Sequence, residues 1–139
     1  MKKILFIGFL FCSLATFAQV PSGVRVTFQR DYPGVNWDQV RWEQRNNQWH
    51  GYYHDGYNRD VDTYYDEYGR RIDTHIYYDR QYVPPRVQTR ITRRYPNEDY
   101  RVYRIERPAA RPLFQIQIGK RNPYYTNERG RKRRYEDRH

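Results

Sequence analysis

The sequence predicts an α+β fold: a tandem repeat of helix plus antiparallel β-strands, with the helices packed on one face of the sheet. Three observations predict it. "RDYPGVNWDQVRW" at 30–42 and "RRYPNEDYRVYRI" at 93–105 each carry an arginine, Tyr-Pro, a polar turn and an aromatic, β-branched stretch. Before each Tyr-Pro, apolar residues recur at i, i+4 and i+8: Val24, Phe28 and Tyr32, then Val87, Ile91 and Tyr95. That spacing lines one helix face. Finally, "DEYGR" at 66–70 is echoed by "NERGR" at 127–131.

The elements follow in order. Residues 1–18 have a basic start, an apolar run and small residues at Thr16 and Ala18, the pattern of a signal peptide cleaved near Ala18-Gln19. The run is too short for a membrane span, which needs about 20 residues, and no later segment approaches one. Helices are expected at about 22–31 and 85–94. Each opens at proline and closes before proline, where the preceding residue leaves helical geometry. Strands are expected at 37–43, 48–54, 61–66, 71–78, 100–106 and 113–118, the last reading "LFQIQI" with period two. "HDGYNRD" at 54–60 and "DEYGR" read as turns, with Gly69 fit for positive φ. The expected organisation is a signal peptide at 1–18, one domain at 19–131 made of two repeats (about 21–79 and 84–131), and a basic flexible tail at 132–139.

The order helix, "YPGV", "W…W", hairpin, "YYDEYG", then a second helix after "VPPRV" and a second "YP" resembles the PepSY-like, β-lactamase-inhibitor-like family of exported bacterial proteins, common in Bacteroidetes. The resemblance runs over roughly 21–131. It implies a tandem α+β fold and a periplasmic or extracellular location, with no catalytic residues to carry over. Arg70 and Arg71 stand where that family's turn is usually followed by apolar residues.

Composition sets the remaining bounds. The 139 residues include 16 Tyr, 6 Phe and 3 Trp, so the core must be built from large amphipathic rings, which favour strands. The single cysteine, Cys12, lies in the leader, so the exported chain has no disulfide and no thiol chemistry. Charge is uneven: 19–83 hold 8 basic and 10 acidic side chains, and 84–139 hold 16 basic and 6 acidic.

No nucleophile motif, phosphate loop or dinucleotide fingerprint occurs, so an enzyme is not expected. No cofactor or metal is expected either. His50 and His54 sit on a strand, about 13 Å apart at 3.3 Å per residue, too far to share one zinc ion. Asp60, Asp62, Asp66 and Glu67 lack the spacing of a calcium loop.

The function expected is a non-enzymatic exported binding or inhibitor-like protein, acting through a protein–protein interface with another envelope protein. Trp37, Trp42, Trp49, Tyr52 and Tyr64 are the candidate protein-binding residues, since aromatic side chains anchor such interfaces. The alternative is binding of a polyanion, an anionic polysaccharide or lipopolysaccharide. Its candidates are Arg86, Arg90, Arg93, Arg94, Arg131, Lys132, Arg133 and Arg134, because guanidinium grips anions with two donors. Nucleic acid is not an expected partner of an exported chain.

Overall fold

The computed structural model of the chain describes residues 19–135. The leader at 1–18 and residues 136–139 of the expected tail lie outside the described residues. Two helices, α1 (Ser22–Asp31) and α2 (Pro85–Arg94), accompany eight strands: β1 (Arg41–Arg45), β2 (Gln48–His54), β3 (Asp60–Tyr65), β4 (Arg71–Tyr78), β5 (Tyr100–Glu106), β6 (Leu113–Ile118), β7 (Tyr124–Thr126) and β8 (Lys132–Arg133). The strands form one antiparallel sheet in sequence order, β1 to β8.

This corrects the predicted fold class. The protein is mainly β, not an α+β tandem of helix-plus-strand units. The reason is proportion: eight strands make one continuous sheet, with β4 on β5 from Thr74 opposite Glu106 to Tyr78 opposite Val102, and the two helices have ten residues each. Strands before and after α2 join edge to edge, so one sheet runs the length of the molecule. The two ten-residue helices cover it only in part. The strand expected at 37–43 also starts later than predicted. Trp37–Gln39 is a 3-10 turn, capped by the Asn36 side chain accepting from the Asp38 backbone N–H, and β1 begins at Arg41.

The helices form where the apolar spacing placed them. Each starts behind a proline, whose missing N–H costs nothing in the first turn, and each ends at a tyrosine, Tyr32 or Tyr95, that still donates its N–H to the i−4 carbonyl. Neither is long enough to persist alone. Val24 and Phe28 of α1 pack on Trp49, Tyr53, Val61, Tyr65 and Ile76 of the sheet. Val87 and Ile91 of α2 pack on Tyr100, Val102, Phe114, Ile116 and Ile118. Tyr78 touches both clusters.

Phe28 is the hub of the first cluster. Tyr32, Trp37, Trp42 and Tyr53 surround it at centroid distances of 5.3 to 5.7 Å, mostly edge-on. Trp42 sits opposite Gly51 in the β1–β2 register, and a Cβ at Gly51 would come within 2.9 Å of its ring. The indole lies over a residue with no side chain because nothing larger fits beneath it. At the edge of this cluster, the Tyr32 hydroxyl lies 2.6 Å from Thr74 Oγ1 and accepts from Arg71 Nη1 at 2.8 Å. Thr63 adds a 3.0 Å bond to Thr74, so these buried hydroxyls are satisfied.

Candidate interaction face

Strand alternation sends every second side chain away from the helices. On that second face stand Arg41 and Glu43 of β1, His50 and Tyr52 of β2, Asp62 and Tyr64 of β3, Asp73, His75 and Tyr77 of β4, Arg101, Tyr103 and Ile105 of β5, Gln115 and Gln117 of β6, and Tyr125 of β7. No helix covers it. The middle of this face is a shallow groove bordered by Tyr52, Tyr64, Tyr77, Tyr103, Gln115 and Gln117. Tyr77 and Tyr103 are cross-strand partners with rings 5.7 Å apart, edge to face. Arg41 lies 4.7 Å from the Tyr52 ring centroid.

The groove has a half-buried polar heart. The Tyr64 ring lies between His50 and His75, at 4.4 and 4.9 Å. Its hydroxyl donates to Asp62 Oδ2. Burial raises the Asp62 carboxyl to about 6, since the loss of water outweighs the Tyr64 bond. Burial, with Arg45 nearby, lowers His50 from its ordinary value. Asp62 Oδ1 and His50 Nδ1 are buried without a hydrogen-bond partner among the described residues. Polar atoms that are half-hidden and unpaired favour a ligand able to pair them. No group of three metal-ligating side chains comes together among the described residues.

The candidate residues from sequence divide between the two faces. Trp49 is 4% exposed and belongs to the core under α1. Trp37 and Trp42 are half-buried against that core. Tyr52 and Tyr64 stand on the second face. Tyr77, Tyr103 and Tyr125, which join them there, escaped sequence reasoning. Their signal was the period-two position of each, readable only once the strand register is known.

The arginines divide too. Arg86, Arg90, Arg93 and Arg94 are on α2, in the helix layer. Arg131, Arg133 and Arg134 instead line a broad hollow at one end of the second face, together with Arg107, Arg111 and Arg129. Lys132 pairs opposite Thr126 on β8. Asp66, Glu67, Asp73 and Glu128 also border the hollow, and among the described residues none of them makes an ion pair with these six arginines.

No family model matches the sequence, and no curated protein does. Solved structures do. The chain shares the fold of several Bacteroides proteins. A BLIP-like protein from Bacteroides fragilis NCTC 9343 superposes with a TM-score of 0.72 at 17% identity, over 88% of this chain and 89% of that one. A DUF2874 family protein from Bacteroides ovatus ATCC 8483 gives 0.70 at 19% identity, over 81% and 83%. A third, named as a "putative periplasmic" protein of Bacteroides eggerthii DSM 20697, gives 0.72 at 16% identity, over 84% and 87%. The BLIP-like neighbour agrees with the β-lactamase-inhibitor-like half of the resemblance read from the sequence. Nothing among them carries the PepSY half. Among the described residues, no helix is long and apolar enough to cross a membrane.

Proposed function

We propose that the chain is a non-enzymatic binding protein of the cell envelope that holds a protein partner against the uncovered face of its sheet. The observation that carries this is the row of half-exposed tyrosines, Tyr52, Tyr64, Tyr77 and Tyr103, around polar atoms that have no partner among the described residues, on a face that no described helix covers. Tyrosine supplies area and a hydrogen-bonding tip at small entropic cost. The BLIP-like fold neighbour supports an inhibitor-like role, and the neighbour named for the periplasm supports export. The leader pattern at 1–18 agrees with the same location.

Photo-crosslinking tests the reading. A benzophenone side chain at Tyr52 or Tyr103 should capture a partner in envelope extract. The same group at Val26, which is 65% exposed on α1, should not. Capture from Val26 alone would put the interface on the helix layer and end this reading.

A second reading, binding of an anionic polysaccharide, is favoured by one observation: six arginines around the hollow that make no ion pair among the described residues. Dextran sulfate should then bind, and Arg129, Arg131 and Arg133 changed together to Gln should weaken it at least tenfold at low salt. Arg86, Arg90 and Arg93 changed together should matter less. Equal losses would mean non-specific attraction to a basic chain.

A further inference from the structure

The second face is not open along its whole length. Ile105 and Leu113 are opposite each other on it by register and belong to neither core cluster, yet they are 0% and 6% exposed. Asp73, on the same face, is 4% exposed. What closes over Asp73 comes from the end of the chain. Two residues past β8, Tyr135 donates its hydroxyl to Asp73 Oδ2. Its ring stacks on Tyr125 at 5.0 Å with the planes 18° apart. The Arg107 guanidinium lies 5.9 Å from the ring centroid. One side chain thus bridges β4, β7 and the connection after β5.

These three contacts make a receptor for a phenol. A buried carboxylate needs donors, and Asp73 has the Tyr135 hydroxyl; His75 Nε2 lies 3.4 Å away without a hydrogen bond to it. An aromatic plane and a cation hold the ring. The occupant follows a two-residue strand whose sheet neighbour among the described residues is β7. Withdrawing Tyr135 breaks no helix and no core contact of either cluster.

We propose that Asp73, Arg107 and Tyr125 form a binding site for a tyrosine side chain, filled in cis by Tyr135 and available to a tyrosine of the protein partner when Tyr135 leaves. The second half of this rests on the docking face proposed above; the site itself does not. Tyr135 acts as an internal competitor. A tethered group has an effective concentration of the order of millimolar, so the site admits only a ligand that outbids it.

The test needs no partner. The probe is p-cresol, the tyrosine side chain as a free molecule, added to the folded chain with Tyr135→Ala and to a chain ending at Arg134. Backbone amide NMR shifts at Asp73, Ile105 and Tyr125 report binding. Saturable shifts confined to these strands are expected in both variants, at least tenfold weaker binding in the parent chain, and at least threefold weaker binding for toluene, which lacks the hydroxyl. Adding Asp73→Asn should erase much of the preference for p-cresol over toluene. Equal binding to parent and variants would overturn the proposal, as would no binding, or no preference for the hydroxyl. So would loss of the fold in both variants, since Tyr135 would then be a structural residue and not an exchangeable one. Failure here leaves the docking face untouched, because crosslinking at Tyr52 and Tyr103 tests that separately.

Discussion

Asp62 and His50 both touch Tyr64 on the second face, and burial favours the neutral form of each, so their pKa values move in opposite directions. Asp62 rises from 3.8 to about 6, so the native state holds its proton more tightly than the unfolded chain does. Stability from this group is therefore lost as pH rises through about 6 and recovered toward pH 4. His50 is depressed, so the native state prefers the neutral imidazole, and stability is lost as pH falls below its ordinary 6.5. The two titrations partly hide each other in the parent. Asp62→Asn, which still accepts from Tyr64, should raise stability at pH 7.5 by on the order of 1–2 kcal/mol, allowing for partial solvent screening, and that advantage should vanish by pH 4. His50→Gln should show the reverse, a relative gain at pH 5 with little change at pH 7.5. Urea midpoints at the three pH values decide it, and a gain for Asp62→Asn that persists at pH 4 would contradict the assigned cause.

Turns show how much of an element local sequence can fix. Three connections share one construction. Asp55 accepts from the backbone of Tyr57 and Arg59, Asp66 from Tyr68 and Arg70, and Asn127 from Arg129 and Arg131. The fourth residue of each has positive φ: Asn58 at 58°, Gly69 at 83° and Gly130 at 71°. The last two were legible as the matching "DEYGR" and "NERGR". The first, "DGYNR", hid behind Asn in the place of Gly, a residue that also tolerates this region. What local sequence did not reveal is where Gly69 sits. A Cβ there would lie 2.4 Å from the Gly23 carbonyl carbon, so the turn presses on the start of α1. Gly69→Ala should therefore cost about 2 kcal/mol or more from strain and clash together. Calorimetry checks this, and a near-neutral result would mean the turn and helix can separate freely.

The whole molecule has two apolar clusters under one sheet, joined at Tyr78 and by the β4–β5 pairing. All three tryptophans lie in or against the first cluster, so fluorescence reports on that end alone. Ile91→Ala removes methyl groups only from the second cluster and should cost about 2–5 kcal/mol. If the continuous sheet couples the two ends, the tryptophan midpoint in urea should fall as far as the circular-dichroism midpoint does. An unmoved tryptophan transition would show two cores that unfold separately.

By itself the sequence determined both helices, six of the strands to within a few residues and the turn chemistry. These depend on neighbours three or four positions away, through apolar spacing, proline and side-chain caps. It did not determine the class. Helix and strand signals read as two matched units, and what makes the fold mainly β is that eight strands form one sheet which two ten-residue helices cover only in part. It did not sort the aromatics either. Trp49 and Tyr52 are equally good docking residues on paper, yet odd spacing on one strand puts Trp49 in the core and Tyr52 on the uncovered face. The arginines parted for the same reason, α2 to one layer and the chain end to the other. Only long-range pairing decides such things, because a side chain's face is set by the register of strands far away in the chain.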